Sequence, residues 1–217
     1  FSLDKLQCNA NNITNLNLLG NPALTELLCW DNKLDNLNLI NNTYLGYLYC
    51  GNNNLTSLDL SMLDLYDLRC QNNAISSIDL DNNYSLEWLS CYNNNLQNIN
   101  LATNISLIVL NVGNVISQSS IYSNDLNSLD LSNNCSISTF YSEGNPNLEC
   151  IQVCDMLSAN NWNTQNIDTQ HFFSIDCNYT AITEGSERNQ KIISIKDIYG
   201  RESSIYTNSF LFYIYQN

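Results

Sequence analysis

Basic charge is what this 217-residue sequence has least of: seven Lys and Arg stand against 21 Asp and Glu, a net charge of −14. A surface of that sign repels a phosphate backbone, which excludes nucleic acid as a partner. No apolar run approaches 18 residues, so no segment reads as a transmembrane span. A single His leaves little material for acid–base or nucleophilic catalysis, and no enzyme is expected. Proline numbers two and glycine seven, yet hydrophobic residues make up 44%, which argues against wholesale disorder despite the polar excess. What the chain has in quantity is asparagine, 40 residues or about 18%.

Self-comparison explains the asparagine. Leu24, Leu27, Cys29, Asn32 and Leu34 align with Leu45, Leu48, Cys50, Asn53 and Leu55. The frame returns at Leu65/Leu68/Cys70/Asn73/Ile75 and Leu86/Leu89/Cys91/Asn94/Leu96, and Leu3/Leu6/Cys8/Asn11/Ile13 opens it. Steps between cysteines are 21, 21, 20 and 21 residues. Each unit carries a second apolar pair, such as Leu37/Leu39 or Leu58/Leu60. Residues two apart on a strand share a face, so Leu48 and Cys50 both point inward. No unit can bury its leucines alone, so neighbours must stack. The asparagine column is expected to satisfy backbone groups between coils. A sixth unit keeps Leu107/Leu110/Val112 but reaches Leu126/Leu129/Leu131 only after about nine extra residues near 113–123, read as a surface insertion. Ile137/Phe140/Ser142 and Leu148/Ile151/Val153 read as two closing strands. Phe1 falls inside a repeat, so more chain, and any signal peptide with it, is expected upstream.

The pattern L-x-x-L-x-C-x-x-N-x-L resembles the leucine-rich repeat family over residues 1–147. The fold class implied is a repeat solenoid with one parallel β-sheet on its lining face, a disulfide-bearing C-terminal cap and a small β tail. Cys8, Cys29, Cys50, Cys70 and Cys91 form an inward column read as small buried thiols; no His or Asp joins them at ligand spacing, so neither a metal nor a cofactor is expected. The stretch from Asn145 through Cys150 and Trp162 to Cys177 resembles the C-terminal cap of leucine-rich repeat proteins from Bacteroidetes, at 148–180 here. That resemblance implies a Cys150–Cys177 disulfide and an extracytoplasmic setting. Cys135 and Cys154 depart from the cap pattern, and whether they pair stays open.

Residues 181–217 begin with a polar linker. Asp197-Ile-Tyr-Gly-Arg201 and Phe212-Tyr-Ile-Tyr215 then resemble a partial, short type IX secretion sorting domain of Bacteroidetes, which implies contact with that export machinery and an extracellular or outer-membrane surface location. A plain terminal β-hairpin packing on the cap fits the same residues.

Strand residues alternating with the core face outward. Trp30, Tyr47, Tyr49, Trp88, Tyr92 and Tyr141 therefore gather on one face, with Arg69, Asp67, Gln71 and Asn72 among them as hydrogen-bonding groups. Aromatics with polar tips favour partly desolvated interfaces. The expected function is a binding module for a protein or a neutral glycan; the alternative is a self-associating component of a bacterial surface assembly or of a complex with outer-membrane secretion or uptake machinery. His171 has no obvious Ser or Cys partner in the sequence and reads as a cap-packing residue.

Overall fold

A computed structural model describes residues 3–113, 124–159, 162, 167–177, 192–196 and 212–215. Each of the first six units contributes one three-residue strand to a common sheet: β1 (Lys5–Gln7), β2 (Glu26–Leu28), β3 (Tyr47–Tyr49), β4 (Asp67–Arg69), β5 (Trp88–Ser90) and β6 (Val109–Asn111). After β7 (Leu129–Leu131), which lies elsewhere, β8 (Thr139–Tyr141) becomes the seventh strand of that sheet, in the order β1-β2-β3-β4-β5-β6-β8. All pairs are parallel and in register, with Leu6, Leu27, Leu48, Leu68, Leu89, Leu110 and Phe140 in one line. The strands are short because each coil must turn after three residues to bring its second apolar pair back onto the same core. Leu27, Leu48, Leu68, Leu89 and Leu110 are wholly buried, as are Cys29, Cys50 and Cys70. Each buried leucine contributes roughly 1.5–3 kcal/mol, and only the stack makes that burial possible.

Asparagine holds the turns in three ways. The column inferred from the repeat bridges coils: Asn53 Nδ2 donates to the carbonyls of Cys29 and Cys50 at 3.1 and 3.0 Å, while its Oδ1 accepts the Leu34 N–H at 3.0 Å. The residue just before each column member has left-handed backbone, with φ between 51° and 55° at Ala10, Asp31, Asn52, Asn72 and Asn93. Asn and Asp tolerate that region better than other side chains, so four of the five positions carry one. A further column at Asn42, Asn83, Asn104 and Asn134 ties the return side together; Asn104 Nδ2, for example, reaches the carbonyls of Leu80 and Asn83 at 3.1 and 2.7 Å. That column is visible in sequence as Asn-x-x-Leu or Asn-x-x-Ile. The 20-residue coil breaks it, with Leu63 in the asparagine's place; Asn83 Nδ2 then lies buried without a hydrogen-bond partner.

The end of the solenoid differs from the expectation. Leu126 takes the place of Leu96, since Asn124 Oδ1 accepts the Leu96 N–H at 3.0 Å and Asn145 Oδ1 the Leu126 N–H at 3.1 Å. Leu129–Leu131 is therefore the return side of the sixth coil, and the extra residues separate Val112 from Asn124. Residues 114–123 of that insertion lie outside the described residues. Only Ile137/Phe140/Ser142 closes the lining sheet. The Leu148/Ile151/Val153 segment, β9 (Cys150–Val153), instead pairs with β7 and with β10 (Phe172–Ser174) in a second parallel sheet of order β10-β9-β7. The reason is Asn145, which fills both asparagine roles at once: its Nδ2 donates to Val112 and Ser142 carbonyls at 3.2 and 2.8 Å, and its own carbonyl accepts the Leu148 N–H at 3.0 Å. The chain thus skips one return half-coil.

A one-turn helix α1 (Met156–Ala159) and β10 complete the cap. The Trp162 ring centre packs tilted at 4.7 Å from that of Phe140 and edge-to-face at 5.3 Å from that of Phe173, its indole N–H donating to the Ile137 carbonyl at 3.0 Å. A disulfide joins Cys150 to Cys177, Cα atoms 5.8 Å apart.

The chain divides into two units, Phe1–Asn178 and Tyr179–Asn217. In the second, β11 (Ile192–Lys196) and β12 (Phe212–Tyr215) pair antiparallel, with Lys196 opposite Phe212 and Ile192 opposite Tyr215.

Candidate recognition face

The lining sheet sets side chains of successive coils side by side, and three of the expected residues meet directly. The Arg69 guanidinium carbon lies 4.5 Å from the centre of the Tyr49 ring and 4.6 Å from that of Trp88. Arg69 sits on β4, Tyr49 on the strand before and Trp88 on the strand after, so the stack spans three coils. Asp67 fixes its centre. Being two residues before Arg69, it shares the strand face, and it accepts Arg69 Nε at 3.0 Å and Nη2 at 2.8 Å. The Tyr49 hydroxyl donates to the same carboxylate at 2.7 Å. Burial, then the hydrogen bond to Asp67, pushes the Tyr49 hydroxyl up to about 12, so it remains a donor. The Asp67 hydrogen bonds raise Arg69 above its ordinary value, so its guanidinium charge is held.

Asp67 is itself buried, as are Ser90 and Val109, although all three occupy outward strand positions. Their neighbours cover them: a column of alternating large and small residues lets the large ones close over the rest. Asp67 is therefore a support for the stack and not the free hydrogen-bonding group that strand alternation suggested.

Tyr47, 45% exposed, packs at 6.0 Å from the Tyr66 ring, which sequence reasoning passed over. The signal was Gly46. A Cβ there would stand 2.9 Å from Cδ2 of Tyr66, so the missing side chain in one coil makes room for the tyrosine of the next. Trp30 and Tyr92 stand in a separate column three residues past the strand centres, with Gly51 and Gln71 between them. There a Cβ on Gly51 would lie 2.7 Å from Gln71 Nε2, so the Gln71 amide covers the glycine. Both aromatics are half-buried, and Tyr141, at the far end on β8, is too. The patch ends on the N-terminal side at a Lys5–Glu26 pair, 2.8 Å apart.

The cap holds a second constellation that sequence spacing hid. Ser142 Oγ lies 3.1 Å from His171 Nδ1, and His171 Nε2 lies 3.2 Å from the Asn145 carbonyl and 3.4 Å from Asp168 Oδ2. His171 therefore does have a serine partner, 29 residues away, because β10 folds back along β9. The His171 side chain and Ser142 are fully buried. Asp168 also accepts the backbone N–H groups of Gly144 and Asn145, each at 2.9 Å. These bonds fasten the cap to the last coil, as the packing role expected for His171 requires.

Among the described residues no group of three or more His, Cys, Asp and Glu side chains could hold a metal ion, and no helix is long and apolar enough to cross a membrane. No protein-family model and no curated sequence matches the chain. Its fold is similar to a leucine-rich repeat protein of Leptospira interrogans, at 20% identity over 76% of this chain and 39% of that one, TM-score 0.58. It is similar also to the leucine-rich repeat domain of APL1B, at 17% identity over 78% of this chain and 56% of that one, TM-score 0.56. An internalin, InlF, of Listeria monocytogenes matches at 19% identity over 74% of this chain and 50% of that one, TM-score 0.52. This chain thus spans between about two fifths and just over half of those structures. The seven-strand parallel solenoid is a leucine-rich repeat fold.

Proposed function

We propose that this chain is a recognition module whose lining face binds a protein partner through the Tyr49–Arg69–Trp88 stack and its flanking tyrosines. The carrying observation is the guanidinium held between two rings by a buried carboxylate. Tyr, Trp and Arg are the residues that dominate binding energy at protein interfaces, and here they are immobilised before any partner arrives, which lowers the entropy cost of association. A neutral glycan fits less well, because Arg69 already covers one face of the Tyr49 ring and one of the Trp88 ring. The net charge of −14 favours a partner presenting a basic or neutral patch. Trp30, Tyr92 and Tyr141 extend the face along both columns.

The setting we propose is secreted or cell-surface, in a bacterium of the Bacteroidetes type. It is supported by the Cys150–Cys177 disulfide, which persists in oxidising compartments, and by the likeness of Asp197–Arg201 and Phe212–Tyr215 to a type IX sorting tail. Self-association is the second reading. It is favoured by a groove of about 370 Å³ on the return side, lined by Leu37, Ile40, Asp59, Met62 and Leu63, where Ile40 and Met62 are largely exposed.

A panel of bacterial and host surface proteins and neutral glycans, probed with the wild type and with Trp88→Ala, tests the reading. At least one protein is expected to bind the wild type and to lose most of that binding in the variant, while sizing runs show the same monomer for both. Binding confined to glycans, or assembly without any partner, would overturn it.

A further inference from the structure

Strand β9 is the middle strand of the cap sheet, with one cysteine at its start and another just past its end. Cys150, at its start, is bonded to Cys177, which follows β10 on one side. Cys154 follows its last residue, Val153, whose in-register partner on the other side is Leu131 of β7. The turn after β7 carries Cys135, so the two thiols stand at the same end of the parallel β7–β9 pair; burial, then Cys135, pushes the Cys154 thiol up. The Trp162 indole, bonded to the Ile137 carbonyl at 3.0 Å, pins the chain just beyond that turn. Cys135 is exposed and Cys154 partly so, unlike Cys29, Cys50, Cys70 and Cys91 in the core. An oxidant that reaches Cys150 and Cys177 therefore reaches this pair as well.

We propose that Cys135 and Cys154 are a site of oxidative modification that closes a second disulfide, fastening β9 to the last full coil as Cys150–Cys177 fastens it to β10. The oxidant is a small-molecule disulfide. Cys135, the more exposed, attacks one of its sulfurs and releases one thiol. Cys154 then attacks the Cys135 sulfur of the mixed disulfide, forming the Cys135–Cys154 bond and releasing the second thiol. Two protons and two electrons leave the protein, and the oxidant is reduced to two thiols. Asp155 Oδ2, 3.3 Å from the Cys154 sulfur, accepts its S–H and orients the thiol, and the protons of both steps pass to solvent.

The full chain, equilibrated with oxidised glutathione, acid-quenched, denatured and alkylated without reductant, decides it. Five alkylated thiols are expected, with Cys135 and Cys154 recovered in one cross-linked peptide. Cys135→Ser should leave Cys154 alkylated and the Cys150–Cys177 bond intact, giving six alkylated thiols. Seven alkylated thiols in the wild type would overturn the proposal, and so would Cys135 or Cys154 cross-linked to any other cysteine. Serine at this exposed turn leaves the core untouched, so a misfolded variant does not confuse the result; the wild-type count stands without it.

Discussion

Asn73→Ala is expected to lower the unfolding free energy by about 3–5 kcal/mol, among the largest losses available to a single side chain in this solenoid. Asn73 is fully buried. Its Nδ2 donates to the carbonyls of Cys50, Cys70 and Gln71 at 3.1, 3.0 and 3.3 Å, and its Oδ1 accepts the Leu55 N–H at 2.9 Å. Alanine strips partners from its own coil and the preceding one at once and leaves backbone groups buried where water cannot replace the amide. Asn11, the first member of the same column, is exposed and bonds only within its own coil, to Cys8 and Asn9 carbonyls at 3.0 and 2.9 Å. Its alanine variant should cost about 0.5 kcal/mol, since water takes over those carbonyls. Urea denaturation of the two variants beside the wild type measures the contrast; equal midpoints would show that the asparagine column does not hold the coils together.

Raising the pH above about 9 is expected to destabilise the protein steeply through its buried thiols. Burial pushes the Cys29 and Cys70 thiols up to about 12 and those of Cys50 and Cys91 well above their ordinary 9. In the unfolded chain they ionise near 9. The folded state therefore holds its protons more tightly, so this contribution is intact below about pH 9 and is lost as the pH climbs toward 12. Each thiol forfeits about 1.4 kcal/mol per pH unit above its unfolded value, so the four together withdraw roughly 6 kcal/mol by pH 10. Val112 occupies the cysteine position in the sixth coil and is fully buried, which makes valine a compatible replacement. Denaturation midpoints of the wild type and of the Cys29→Val, Cys50→Val, Cys70→Val, Cys91→Val protein, compared at pH 8 and pH 10, isolate the effect. The wild type should fall steeply and the variant little; parallel declines would contradict the buried-thiol column.

The regular coils were legible in the sequence because each rests on a local period: apolar residues two apart for the strand face, and an asparagine at a fixed offset for the turn. The cap was legible only in part. Leu148/Ile151/Val153 has the spacing of a strand, but nothing local says which sheet it joins. That choice is made by Asn145, which serves two turns that other coils assign to two residues. The same limit hid Ser142 from His171, because their meeting depends on the parallel pairing of β10 with β9. On the lining face, alternation correctly placed Tyr49, Arg69 and Trp88 outward, and register brings them together. It did not show that Asp67 sinks beneath them. That follows from side-chain size in three neighbouring coils, with Gly46 as the one local trace of where Tyr66 would lie.

The recognition face itself is tested most directly by one affinity comparison. A partner taken from the surface-protein panel, or a peptide selected on the wild type from a random display library, would be titrated calorimetrically against wild type, Trp88→Ala and Ile40→Ala. Ile40 is 61% exposed, lines the return-side groove and lies away from the lining sheet. Loss of a central aromatic anchor costs roughly 2–4 kcal/mol, so Trp88→Ala should weaken binding about 30- to 1,000-fold while Ile40→Ala leaves it unchanged. Full affinity in Trp88→Ala, with the loss appearing in Ile40→Ala, would place the partner on the other side of the solenoid and contradict the assignment.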